Sequence, residues 1–93
     1  MVNLRTIKPL DRATIAASVR KTHRVVAVEE GWPQCGVTSE IVTLVNEECF
    51  DDLDAPPMRV TGAEIPTPYA EQLEKLSFPQ VSNIVSVVKG MFA

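Results

Sequence analysis

Residues 24–36 read Arg24-Val25-Val26-Ala27-Val28-Glu29-Glu30-Gly31-Trp32-Pro33-Gln34-Cys35-Gly36. Behind Arg24 the run is apolar without alternation, the pattern of a strand covered on both faces, as in a parallel sheet. Two glycines and a proline then punctuate a loop. A parallel pair needs a crossover between its strands, so helices are expected on either side of this stretch. Upstream, Asp11 offers an N-cap for a helix over residues 12–22, with Ile15, Ala16 and Val19 as its buried stripe. Arg20, Lys21 and His23 crowd its end, where positive charge suits the macrodipole. Downstream, residues 37–50 place Ile41, Leu44 and Val45 on one face, extended by Val37 and Cys49. Thr38, Ser39 and Glu40 suit that helix's first turn.

Farther out, residues 2–7 read as a short strand bounded by Pro9, and residues 51–57 as a turn. Residues 58–60 read as a strand reaching towards Gly62. Thr67 can cap a helix with Pro68 at its first position, holding Tyr69, Leu73 and Leu76. Pro79 starts a last helix, in which Val81, Ile84, Val85 and Val88 recur at helical spacing before Lys89-Gly90. The order predicts an α/β fold: three α/β/α layers around a mostly parallel sheet. Three strands leave open edges, so something is expected to continue the sheet before Val2 or to cover it.

The chain has 93 residues, 45% hydrophobic and 23% charged. That is ordinary globular composition for one modest core, and it argues against a disordered tail, a collagen-like fibre or a disulfide-dense knot. The formal net charge of −3 argues against a nucleic-acid binder, which at this size is normally basic. No apolar run approaches the ~20 residues that a bilayer crossing needs. The first residues, Met-Val-Asn-Leu-Arg-Thr-Ile-Lys-Pro, lack a signal peptide's apolar stretch. A targeting segment is therefore expected to be absent or to lie outside this chain.

Cys35 and Cys49 form no Cys-x-x-Cys pair and, with the single histidine, are too few for a structural zinc. They read as free thiols in a reducing compartment. His23 has no nucleophile or acid placed for it by the sequence and reads as a helix-end residue rather than a catalytic one. Gly31, Gly36, Gly62 and Gly90 form no phosphate-cradling motif. Glu29 and Glu30 fall at the C-terminal end of a buried strand, where α/β proteins bind ligands, and read as solvated or interface residues. Trp32 reads either as a core lid or as an interface anchor.

Glu47, Glu48, Asp51, Asp52 and Asp54 crowd the end of the second helix with no basic residue among them. Negative charge at a helix C-terminus opposes the macrodipole. A broken local rule tends to mark function, and a docking surface for a basic partner is a reason for this one. The plainer alternative is a solvated face.

Four stretches together resemble the C-terminal, transketolase-type domain of pyruvate dehydrogenase beta subunits. They are Asn3-Leu4-Arg5-Thr6-Ile7-Lys8-Pro9-Leu10-Asp11, Val28-Glu29-Glu30-Gly31-Trp32-Pro33-Gln34, Leu53-Asp54-Ala55-Pro56, and Arg59-Val60-Thr61-Gly62-Ala63-Glu64-Ile65-Pro66-Thr67-Pro68-Tyr69-Ala70. Branched-chain 2-oxoacid dehydrogenase beta subunits share the first two better than the last. Thr38-Ser39 departs from the family's usual Gly-Ala before Glu40-Ile41, at a helix start.

The resemblance implies helices on a mostly parallel sheet, with one further strand and helix upstream. On that ground residues 1–93 are expected to be a single truncated domain, a fragment or short gene product. The parent enzyme oxidatively decarboxylates pyruvate and acetylates lipoyl groups, using thiamine diphosphate and magnesium. The regions that hold that cofactor in the family have no counterpart in this sequence, so no catalytic, cofactor or metal residue is assigned. The resemblance further implies contacts with the alpha subunit and a second beta subunit, and docking to the subunit-binding domain of the dihydrolipoyl acyltransferase. Asp54, in the Leu-Asp-Ala-Pro motif, would lie in that dock with Asp52, Asp51, Glu48 and Glu47. Phe92 belongs to the same region, and Glu29, Glu30 and Trp32 are further interface candidates. The expected compartment is the mitochondrial matrix, with plastid or bacterial cytoplasm as alternatives. Rival readings are a free-standing protein-binding adaptor and a small enzyme using Cys35 or His23.

Overall fold

The computed structural model describes residues 1–63, 70, 72–73, 76 and 78–92. Helix α1 runs Arg12–Thr22. Asp11 caps it, accepting from the Thr14 backbone N–H at 3.1 Å and the Thr14 hydroxyl at 2.7 Å. Those bonds, the hydroxyl's first, hold the Asp11 carboxyl below its ordinary range. His23 closes the helix in the left-handed region at φ 65°, its N–H reaching the Val19 carbonyl. Ile15, Ala16 and Val19 are buried, as their spacing requires.

Strand β1 (Val26–Val28) and strand β2 (Met58–Val60) pair in parallel, with Ala27 opposite Arg59 and Val28 opposite Val60. Helix α2 (Val37–Cys49) is the crossover between them, continued by a 3₁₀ turn over Phe50–Asp52. Leu44, Val45 and Cys49 on α2 are almost wholly buried and meet the α1 stripe, with Leu4, Leu10, Val25, Ile41 and Leu53 packed around them. This helix-on-helix seam is the main core. Helix α3 runs Val81–Gly90, and its N-cap Gln80 exchanges capping-box bonds with Asn83.

Strand alternation sorts the layers. Arg59, in register with Ala27, donates to the Ser39 hydroxyl of α2 at 2.7 Å and to the Pro33 carbonyl at 2.8 Å. Arg24, two residues before Val26, lies over the Phe92 ring just beyond α3. Helix α2, with α1 packed on it, therefore lies on one face of the sheet and α3 on the other, the three-layer order that the sequence predicts.

Three expectations change. Residues 2–7 are not a strand: Val2 and Ile7 are exposed, while Leu4 and Leu10 rest on the α1–α2 core. A lone extended segment gains no ladder bonds, and here the Thr6 hydroxyl donates to the Pro9 carbonyl at 2.8 Å and turns the chain. The sheet among the described residues accordingly has two strands rather than three. Helix α3 is also turned from its expected face. Ile84 and Val87 are half-buried, whereas Val81, Val85 and Val88 are exposed, so only part of the apolar stripe is covered. The helix expected from Pro68 lies for the most part outside the described residues.

The loop after β1 is tied to the strand ends. Glu29 N–H donates to the Val60 carbonyl at 3.0 Å and Gly62 N–H to the Gly31 carbonyl at 2.9 Å. A Cβ at Gly62 would collide with the Glu30 carbonyl, so this close approach of two backbones requires glycine. No helix among the described residues is long and apolar enough to cross a membrane.

Candidate docking surface

The acidic residues are gathered by three successive devices. The last turn of α2 carries Glu47 and Glu48, the 3₁₀ turn brings round Asp51 and Asp52, and Asp54 is fixed by its backbone N–H donating to the His23 carbonyl at 2.9 Å. That last bond sets the segment against the end of α1. The His23 ring reinforces it: Nδ1 lies 2.7 Å from the Asp52 carbonyl, which can only accept, so Nδ1 carries the proton.

The acids are not left to repel one another. Arg12 Nη2 reaches Glu47 Oε2 and Glu48 Oε1, each at 3.1 Å. The hydrogen bonds it donates to Glu48, then to Glu47, hold its guanidinium above the usual range. Arg20 donates to the Glu48 carbonyl at 3.2 Å and approaches Asp52 at 3.8 Å. Arg24 approaches Asp54 at 3.9 Å. The stability rule that the acids break within their own helix is thus offset from α1, where Arg20 supplies the positive charge that an α2 C-terminus favours. These pairs are exposed and individually weak. Five carboxylates still meet only three guanidiniums, and Asp51 has no ion-pair partner among the described residues.

Arg24 connects this cluster to the chain's far end. Its guanidinium carbon lies 4.2 Å from the centroid of Phe92, within cation–π range, while the same group faces Asp54. Asp54 and Phe92, far apart in sequence, therefore meet at one residue.

The other candidates lie at the opposite end of the strands. The Glu29 carboxylate accepts from the backbone N–H groups of Val37 (3.2 Å) and Thr38 (3.3 Å) and from the Thr38 hydroxyl. It caps the first turn of α2 from the end of β1 and is half-buried there, Gly36 being the N-cap residue itself. Gly36 leaves it room, since a Cβ there would strike the Glu29 carboxylate. Glu30 is exposed, and Trp32 is half-exposed rather than a core lid. Cys35 is an exposed free thiol and Cys49 a buried one.

The sequence does not link Arg12, Arg20 or Arg24 to the acids; Arg20 reads there only as a charge suited to the end of its own helix. Arg12 and Arg20 stand eight apart on α1 and therefore near one face, a spacing that could have signalled a basic stripe awaiting acids.

Residues 1–84 match the family described as the transketolase C-terminal domain, and the chain belongs to that family. Among curated proteins it is 58% identical over 89 residues to "Pyruvate dehydrogenase E1 component subunit beta-1, mitochondrial" of Arabidopsis thaliana, covering 96% of this chain and 24% of that protein. It is 52% identical over 90 residues to the mitochondrial E1 component subunit beta of Homo sapiens, covering 96% and 25%. To the E1 component subunit beta of Rhizobium meliloti it is 48% identical over 91 residues, covering 98% and 20%. The chain thus spans at most about a quarter of the length of these relatives.

The helix N-terminus where a phosphate could bind is filled by the Glu29 carboxylate, and among the described residues no three His, Cys, Asp or Glu side chains gather to hold a magnesium ion.

Proposed function

We propose that this domain is the assembly module of a pyruvate dehydrogenase beta subunit, working within an alpha–beta assembly in the mitochondrial matrix. Its acidic end docks the basic subunit-binding domain of the dihydrolipoyl acyltransferase. The parent enzyme decarboxylates pyruvate with thiamine diphosphate held elsewhere, and this module supplies no catalytic residue. The observation that carries the reading is the charge excess around Asp54: the acids outnumber the arginines that meet them, and the Asp54 side chain, at 58% exposure, is only loosely engaged by Arg24 at 3.9 Å. A basic partner can reach that exposed carboxylate while Arg24 stays beside it. The similarity to E1 beta subunits over nearly the whole chain supports the choice of partner.

Surface plasmon resonance of a folded beta subunit against that subunit-binding domain tests it. Asp54→Ala is expected to raise the off-rate, because truncating one side of a buried interfacial charge pair costs about 2–5 kcal/mol. Glu47→Gln, at the rim, should mainly lower the on-rate. Both effects should sit on a steep salt dependence, since the Debye length falls from about 10 Å at 0.1 M to about 3 Å at 1 M. Unchanged affinity for Asp54→Ala with a flat salt dependence would mean that the acids are only a solvated face.

A further inference from the structure

We propose that Arg24 is the positioning residue of the docking surface, the group that assembles Asp54 and Phe92 into one binding patch. The inference rests on the docking reading above and adds a residue that neither the acidic run nor the family resemblance singles out. Arg24 lies between α1 and β1, one residue after the His23 cap, so its backbone is held between a capped helix end and a paired strand. From there it makes two contacts, one with the segment leading into β2 and one with the end of α3: Asp54 at 3.9 Å and the Phe92 ring at 4.2 Å to the centroid.

A third observation marks the residue. Its Nε is buried and has no hydrogen-bond partner among the described residues. An orphaned buried N–H is costly, and such groups in native structures call for an explanation. Lysine would remove that cost while keeping the charge. A guanidinium is nevertheless what the site uses, because only its flat, delocalised face can stack on the Phe92 ring while an edge faces a carboxylate. With Arg24 in place, Asp54 and Phe92 present a charge beside an aromatic ring. That pairing suits a partner whose basic side chain is flanked by an apolar surface.

Positioning and simple masking of Asp54 by Arg24 make opposite predictions. Removing the Arg24 charge makes the patch more negative, so attraction of a basic partner is stronger and association is unchanged or faster. If Arg24 positions the patch, dissociation nevertheless speeds up. The experiment is stopped-flow and surface plasmon resonance on the full-length beta subunit carrying this domain, against the immobilised acyltransferase subunit-binding domain, with melting temperatures measured alongside. Arg24→Gln is expected to raise the off-rate about tenfold with an on-rate at or above that of the wild type, a loss on the scale of one interfacial contact. Arg24→Lys should keep the wild-type on-rate and raise the off-rate about threefold, since the ammonium keeps the charge but loses the flat stack. The double variant with Asp54→Ala should dissociate no faster than Asp54→Ala alone, as the two act as one unit.

An off-rate unchanged or slowed in Arg24→Gln overturns the inference, and Arg24 then merely masks Asp54. The docking reading survives that result as long as Asp54→Ala still weakens binding. Should Asp54→Ala bind as well as the wild type, the docking reading itself fails and the positioning role goes with it. If Arg24→Gln does not fold, Arg24→Lys decides alone, and an unchanged off-rate refutes the role.

Discussion

The two ends of helix α2 solve the same electrostatic problem in opposite ways. At its N-terminus one carboxylate, Glu29, comes from the end of β1 and accepts both backbone N–H groups and a hydroxyl in a part-buried niche. At its C-terminus carboxylates stand where the macrodipole disfavours them, and arginines from α1 offset them through exposed contacts. The first arrangement is complete: every oxygen of the Glu29 carboxylate is engaged by this chain. The second is left in excess, with charge available to another molecule. A saturated end fixes the fold, whereas an unsaturated one can be read by a partner.

Substitutions that separate the two ends should show this asymmetry. The largest effect on stability is expected at Glu29. Glu29→Ala removes a charged acceptor from α2's first turn and leaves part-buried donors unpaired, a loss of about 2–3 kcal/mol. Thermal unfolding followed by circular dichroism should show a large fall in melting temperature, while Glu47→Gln at the other end barely moves it. Equal sensitivity at both ends would break the comparison.

A smaller effect is expected for Arg12→Gln, which frees Glu47 and Glu48 to repel each other. The melting temperature should drop slightly at low ionic strength, and the difference from the wild type should vanish in high salt, because the pairs are exposed. A difference that survives 1 M salt would show that Arg12 acts through packing.

The smallest effect is expected at the start of α1. The Asp11 carboxyl titrates below its ordinary 3.8 in the folded chain, so its cap stabilises fully above that value and is lost as pH falls through the depressed one. Asp11→Ala should therefore melt below the wild type at pH 7, with the gap closing as the solution is acidified past the unfolded carboxyl's range. A gap independent of pH would mean that charge plays no part in that cap.

Local pattern was enough for α1, β1, α2 and β2. Asp11, the Ile15–Ala16–Val19 stripe, the unalternated run before Glu29 and the face of Ile41, Leu44 and Val45 each carry their own signal within a few residues. Parallel pairing followed too, because a helix between two strands of one sheet forms a crossover. The strand expected over residues 2–7 failed for a reason invisible locally. A strand exists only with a neighbour, and here a short hydroxyl–carbonyl bond from Thr6 to Pro9 turned the segment instead. The covered face of α3, with Ile84 and Val87 half-buried, is set by what packs against the helix and not by its own spacing.

The site divides along the same line. That acids crowd one helix end was plain in the chain's order, and so was Asp54's place among them. Which charges they meet was not, since Arg12 lies 35 residues from Glu47 and only the packing of α1 on α2 brings them together. Glu29 showed the reverse: a residue that looked available in sequence was consumed by a helix start eight positions on. Spacing along the chain reports hydrophobic faces because helices and strands repeat over a few residues. Ion pairs and caps form across the fold, between groups whose separation in sequence carries no period, and only the tertiary structure decides them.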